Sequence, residues 1–433
     1  MFNQASDDDD DGSAAPQDDS GTTGSGPVDT GDDLLSGPVE EIVLTPGDDT
    51  ELFFDESVVF GEAGDDFING AFAGSATIFG GDGDDTITTG QGGPSFARGG
   101  AGDDDITADD DDDTLYGDLG NDLIFAGRGA DEVIGGFGND TLWGQGGDDT
   151  ISGDSDDDYV AGNTGDDLLS GGDGNDSVYG DEGNDTVRGG AGNDIVAGFD
   201  GDDSLEGGDG QDTLYADSGN DIAMGGSGDD TVYGWTGNDR VDGNGGNDLV
   251  NGGEGDDTIS GGAGTDSLVG WTGDDWIVGD GGNDSMRPGA GNDTIEGGTG
   301  NDSVDAWSYD DTVYAEDESD LILMGDGDDL IFADQRDVVT TGQGGDLVSV
   351  DVFGIDSGWE PVTITDFDIS NDVLVLDGAS DDFAPSPGVT DLIEVVPYAT
   401  GTGSTVLLNG TPVANLDGVT GLSSSDVVAA IVR

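Results

Sequence analysis

From Gly99 to Phe332 an apolar residue returns at every ninth position, two places after an aspartate, through 26 consecutive nine-residue blocks without an insertion. The eighth place is Ile, Leu, Val or Met in every block except the one carrying Ala223, and the sixth is Asp in all of them. Gly171-Gly-Asp-Gly-Asn-Asp-Ser-Val-Tyr179, Gly189-Gly-Ala-Gly-Asn-Asp-Ile-Val-Ala197 and Gly252-Gly-Glu-Gly-Asp-Asp-Thr-Ile-Ser260 show the pattern G-G-x-G-x-D-x-U-x, with U large and apolar. Glycine at the fourth place is missing only at Asp111, Asp156, Tyr309 and Glu318. Each block divides into a six-residue Gly/Asp segment and a three-residue x-U-x segment, room for one short strand with one inward side chain. Two blocks then make one turn of a coil. Glycines at the first, second and fourth places allow positive φ and close backbone approach. A disordered Gly/Asp tract would not call for an apolar residue two places after every Asp.

This nonapeptide resembles the calcium-binding repeat of the RTX, or haemolysin-type, family, and the resemblance covers about 300 of the 433 residues. It implies an all-β fold: a parallel β-roll of two nine-residue repeats per turn, calcium in the loops, and a small β-rich C-terminal cap. A carboxylate and several carbonyl oxygens supply the hard ligands that Ca²⁺ takes, roughly six to eight at 2.3 to 2.6 Å. With two blocks to a turn, the metal-ligating candidates fall into two rows. One holds Asp104, Asp122, Asp140, Asp158, Asp176, Asp194, Asp212, Asp230, Asp248, Asp266, Asp284, Asp302 and Asp320. The other holds Asp113, Asp131, Asp149, Asp167, Asp185, Asp203, Asp221, Asp239, Asp257, Asp275, Asp293, Asp311 and Asp329. In the family an ion sits between loops of successive turns, so the regular array implies about 24 calcium ions. The U residues stack as two facing apolar ladders, such as Ile106, Ile124 and Val133, Ile151, with a core about one side chain thick.

Charge makes the ion necessary. The chain carries 100 acidic residues against seven arginines, no Lys, His or Cys, and a net charge of −93. Self-repulsion opposes compaction, and 85 glycines raise the entropy of the unfolded chain. Folding and calcium binding should be one process. Nucleic acid and membrane insertion are not expected partners of such a surface. Residues 1–42 lack the basic and apolar regions of a signal peptide, and no apolar run approaches the length of a membrane span. The resemblance implies instead type I secretion from a Gram-negative bacterium, with a C-terminal signal, to the extracellular space or cell surface. Low cytosolic calcium would keep the chain unfolded for export.

Three regions are expected. Residues 1–42 read as an acidic disordered segment. Asp7, Asp9, Asp11, Gly12 and Asp18 match part of an EF-hand loop, but without flanking helices they read as a polyacidic tail. Residues 43–349 form the roll, irregular over 43–98 and regular over 99–332. In the irregular part Asp49, Asp66 and Asp85 continue one row, while Val58, Ala76 and Ser95 occupy the other, so calcium is expected on one side only. Asp346 closes the last recognisable repeat, after a block starting at Ala333 that is one residue short. Residues 350–433 form the cap and hold the secretion signal by resemblance. Ile364 to Leu376 is similar to the segment that follows RTX repeats in serralysin-like proteins. Ser404 to Leu416 reads as a hairpin with its turn at Asn409-Gly410, and Ser423 to Ile431 as a short terminal helix.

A longer period runs through the regular array. Phe199, Trp235, Trp271 and Trp307 take the second place, normally Gly, at intervals of 36 residues, or four blocks. They should line one edge at about 9.6 Å intervals. Either each ring covers its own loop after duplication of a four-block unit, or the row stacks a linear polysaccharide or a neighbouring protein.

The inventory disfavours an enzyme. Without His, Cys or Lys there is no zinc-protease helix, Ser-His-Asp triad, thiol nucleophile or Schiff base. Carboxylate pairs abound, yet at calcium-ligand spacing. The leading expectation is a secreted non-catalytic structural protein that can assemble with itself. A glycan-binding module and an accessory protein of a secreted enzyme system are alternatives. Ice binding calls for a flat array of hydroxyl residues, whereas the third place holds Thr only at Thr164, Thr236, Thr272 and Thr299.

Overall fold

A computed structural model describes residues 40–52, 57–70, 74–351, 360–368, 370–377, 393–397, 403–408 and 411–417. Among these residues every regular element is a β-strand, and no helix is long and apolar enough to cross a membrane. The acidic run around Asp7 to Asp18, the Asn409-Gly410 turn and the Ser423 to Ile431 segment lie outside them.

Successive x-U-x segments alternate between two parallel sheets. In the first sheet Glu132 pairs with Thr114 on one side and Thr150 on the other, and in the second Leu123 pairs with Asp105 and Thr141. The partner lies two blocks away throughout the regular array, so two blocks make one turn, as the period predicts. The U side chains all point inward: Leu115, Val133 and Ile151 from the first sheet face Ile124, Leu142 and Val160 from the second, each essentially inaccessible. The residues on either side of each U side chain point outward, and the core is a double file of U side chains, joined by the first-place side chain where there is one, as at Ala126, Ala216 and Met324.

The strands are longer than the x-U-x segment alone. Thr114–Leu119 and Leu123–Arg128 span six residues, running on into the first three places of the next block. Pairing lapses at the first place and resumes at the second and third, as in Gly127 with Gln145 and Arg128 with Gly146. The second-place residue makes this possible by taking positive φ, 81° at Asp118 and 121° at Gly136. The first-place glycines do not. They serve space instead: a methyl group on Gly117 would fall 2.2 Å from the Asp122 carboxylate.

The ends depart from the two-block register. Glu40–Val43 is already a strand, and it pairs with Ser57–Phe60 at a separation one residue shorter than two blocks, so the coil begins ahead of the boundary expected at 42. Separations one residue longer than two blocks follow, where a block is stretched. At the other end Leu330 pairs with Leu347, and the coil does not stop near 349. Val362–Thr365 stacks on Val338–Thr340, and Val373–Asp377 on Leu347–Asp351. The predicted hairpin is present: Gly403–Leu408 and Thr411–Asp417 pair antiparallel, Ile393–Pro397 adds outside, and Thr411–Asp417 lies parallel on Val362–Thr365. Antiparallel strands thus cover the last parallel edge of the second sheet.

Candidate metal centre: two rows of buried carboxylates

The loop between two strands uses its N–H groups in a fixed way. In the block of Asp122, Gly120 N–H donates to Phe137 O (2.9 Å), and Leu123 N–H to Asp104 O (2.8 Å). Asn121 N–H donates to Asp103 Oδ1 (2.8 Å), and Asp122 N–H donates to Asp140 Oδ1 (2.8 Å). The fifth-place side chain therefore accepts from the turn after it, and the sixth-place carboxylate from the turn before it. Two side-chain ladders run antiparallel along each side of the coil.

One carboxylate oxygen is thereby satisfied and the other is not. For 28 aspartates, from Asp66 in one row and Asp131 in the other to Asp320 and Asp346, Oδ2 is buried and no hydrogen-bond donor among the described residues reaches it. Its surroundings are oxygens. A methyl group on Gly207 would meet both Asp212 Oδ2 (2.5 Å) and the Gly225 carbonyl oxygen (2.4 Å), so these two acceptors converge on one space. An uncompensated buried anion costs several kcal/mol in order of magnitude, and acceptors facing acceptors call for a cation.

Burial also pushes the carboxyl groups far above the usual carboxylate range. Asp104, Asp158, Asp275, Asp311 and Asp320 rise to about 8, mainly because burial penalises the charged form. The N–H bond to Oδ1 opposes that shift, and neighbouring carboxylates add to it. Asp212 rises to about 7 for the same reasons. Among the described residues no three acidic side chains converge on one point. An ion would thus draw most of its ligands from backbone carbonyls, and the residues present fit a hard, oxygen-seeking cation such as Ca²⁺.

Each aspartate assigned to a row from the sequence lies in that row. In the irregular part Asp49 N–H donates to Asp66 Oδ1 and Asp66 N–H to Asp85 Oδ1. Opposite, Ala76 N–H donates to the Ser95 hydroxyl (3.2 Å) and Ser95 N–H to Asp113 Oδ1 (2.6 Å). A serine does there what a carboxylate Oδ1 does elsewhere, with no second oxygen. Two members escaped the sequence reading. Asp337 extends the first row through the Asp320 N–H bond (3.0 Å), and Asp372 extends the second through the Asp346 N–H bond (3.2 Å). The signal for Asp337 was its place in the shortened block that starts at Ala333; for Asp372 it was the apolar Leu374 two positions later.

The four second-place aromatics all lie on the second sheet, at φ of 74° to 92°, and are 39% (Phe199), 52% (Trp235), 58% (Trp271) and 69% (Trp307) exposed. They do not stand alone. Ninth- and seventh-place rings make a chain on the same sheet: Phe125 to Trp143 (4.5 Å, stacked), Trp143 to Tyr159 (5.7 Å), Tyr159 to Tyr179 (5.3 Å) and Tyr179 to Phe199 (6.2 Å). Tyr215, Tyr233 and Trp235 form a second group on that sheet, at 5.5 and 6.2 Å.

A parallel β-coil with two internal files of buried, donor-free carboxylates defines a metal-binding solenoid. Its sequence matches the family of the RTX calcium-binding nonapeptide repeat (4 copies) over residues 56–93, 98–286 and 288–337, and the chain belongs to that family. No curated protein sequence matches it as a relative. Among solved structures it is similar to a hyperactive, Ca²⁺-dependent, β-helical antifreeze protein from an Antarctic bacterium. That likeness has 17% identity, covers 78% of this chain and 86% of that one, and has a TM-score of 0.24. It is also similar to the extracellular lipase LipA from Serratia marcescens, at 16% identity over 57% of this chain and 40% of that one, with a TM-score of 0.11.

Proposed function

We propose that this chain is a secreted, non-catalytic structural protein whose coil forms when extracellular calcium enters the two carboxylate rows. The observation that carries the reading is the file of 28 buried Oδ2 atoms with no donor. Sixth-place aspartates and the carbonyls of neighbouring glycine loops would hold the ions, which supply the positive charge that buried carboxylates lack. Were about 24 dipositive ions bound, roughly half of the −93 charge would be neutralised, leaving a strongly hydrated surface. In the cytosol, where calcium is scarce, the same repulsion keeps the chain extended and fit for type I export. The chain lacks His, Cys and Lys, and its sixth-place carboxylates are committed to the rows, which supports a scaffold over a catalyst.

Sedimentation velocity across a calcium titration, from chelator to about 10 mM, a concentration well above the affinity range of extracellular calcium modules, tests this directly. A compacting species supports the proposal, and large chelator-reversible particles would add self-assembly to it. A sedimentation profile indifferent to calcium refutes it.

The aromatic chain on the second sheet favours a second reading, a face that retains an extracellular polysaccharide by ring stacking. Replacing Trp235 and Trp271 by Ala would then abolish glycan retention without changing calcium-induced compaction. Unchanged retention removes that reading and leaves the rings as loop covers. An accessory role beside a secreted enzyme is a further variant, and co-purification with such an enzyme would be its sign.

A further inference from the structure

The carboxylates that end the two rows differ from those inside them. Linked by N–H to Oδ1 bonds, the first row runs from Asp49 to Asp337, and the carboxylates of the second run from Asp113 to Asp372. At these four ends Oδ2 does have a protein donor. Asp49 Oδ2 accepts from the N–H and the hydroxyl of Thr45, both at 2.8 Å. Asp337 Oδ2 accepts the Asp334 N–H (2.8 Å), and Asp113 Oδ2 accepts the Asp109 N–H (3.4 Å). Asp372 Oδ2 accepts the Asp368 N–H (2.7 Å) and the Thr341 hydroxyl (3.3 Å).

A backbone difference accompanies this one. Before each of the 28 donor-free carboxylates, the residue four positions earlier has positive φ, as at Glu62, Asp118, Phe199, Glu316 and Gly342. Thr45, Asp109, Ala333 and Asp368, four positions before the end carboxylates, are not in that conformation, and neither is the donor Asp334. Without the positive-φ bend the loop aims an N–H at Oδ2. A donor dipole then occupies the direction from which a cation would approach, and its positive end repels one.

We infer that Asp49, Asp113, Asp337 and Asp372 are caps that hold no ion, so that the cation array consists of the 28 inner carboxylates only. This rests on the calcium reading above and sets its limits. Asp49 and Asp113, candidate ligands by sequence, leave the ligand set. The end turns keep their carboxylates satisfied in the absence of metal, so they can be in place before the first ion binds.

Native mass spectrometry of the full chain at saturating calcium counts the bound ions. Asp49→Asn and Asp372→Asn are expected to keep the wild-type count, while the inner Asp212→Asn loses at least one. Equal losses in the cap and inner variants overturn the inference. Thr45→Val, which removes one cap donor and no carboxylate, guards against a cap variant that fails to fold, and its count is also expected to be that of wild type; a gained ion would mean that the donor had been excluding one, as inferred, and a lost ion would count against the inference. A wild-type chain that binds no calcium would instead refute the proposed function.

Discussion

Asp212→Asn should change sign with calcium. In the metal-free coil Asp212 is buried, its Oδ1 accepts the Asp194 N–H, and its Oδ2 faces acceptors. Its carboxyl group rises from 3.8 to about 7, and at about 1.36 kcal/mol per pH unit that difference sets a ceiling of about 4 kcal/mol on what the buried charge costs at alkaline pH. Asparagine keeps the Oδ1 bond and places an amide donor beside the Gly225 carbonyl. Burying the amide offsets part of the gain, on the order of 1 to 3 kcal/mol, so about 2 kcal/mol of net stabilisation is expected in chelator. In calcium the variant loses a ligand, and a site held at a hundredfold its Kd contributes about 2.7 kcal/mol. The assay is folding by trimethylamine N-oxide in chelator and unfolding by urea in saturating calcium, both followed by circular dichroism. The chelator advantage should vanish near pH 4, where the wild-type carboxyl is protonated in the coil. A variant destabilised equally with and without calcium would refute the reasoning.

The whole row should behave likewise with pH. The inner carboxyls are all raised, Asp122, Asp212 and Asp104 to about 6, 7 and 8, so the contribution of such groups to the metal-free coil is fully present below about pH 4 and lost as pH rises through 6 to 8. Acidifying the chain in chelator should therefore induce strand signal in circular dichroism, and a coil that forms only on raising the pH would contradict this. Gly237 sits at φ 132° with a would-be methyl 1.4 Å from the Gly219 carbonyl, so Gly237→Ala should cost about 3 kcal/mol or more in urea unfolding with calcium. Gly245, with no atom nearer than 3.8 Å, should tolerate alanine within about 0.5 kcal/mol; equal effects would show that space is not what glycine provides. Ile259→Ala empties one rung of the core file and should cost about 2 to 5 kcal/mol by the same measurement.

The coil and its rows were legible in the sequence because each structural role falls to one recurring residue type, with Asp forming the row, an aliphatic side chain the core, and Gly the bend. What was hidden is what backbone does without a distinctive side chain. The six-residue strands were not visible because pairing at places two and three uses N–H and C=O groups, which Asp118, Gly136 and Trp235 supply equally well. Asp337 and Asp372 were hidden by spacing, since the separation along a row changes from 18 to 17 where Asp337 enters and to 26 where Asp372 does. The ring chain from Phe125 to Phe199 has no period at all. It arises because places seven and nine face outward on neighbouring turns, so unrelated positions such as Trp143 and Tyr159 become neighbours.

The constant two-block partnering has a cost in uniqueness. Within the regular array each strand offers its successor nearly the same surface, so a strand that skips a turn and extrudes a loop meets an almost equivalent partner. Nothing inside the array marks the mistake. The landmarks are the odd separations near Ser57, Thr77 and Leu347, where only one alignment places every carboxylate and every aliphatic side chain. Folding that begins in the middle therefore has translational freedom that only the ends remove. By the same symmetry, recombination that adds or deletes one whole turn changes the length of the array and leaves the landmarks at both ends untouched.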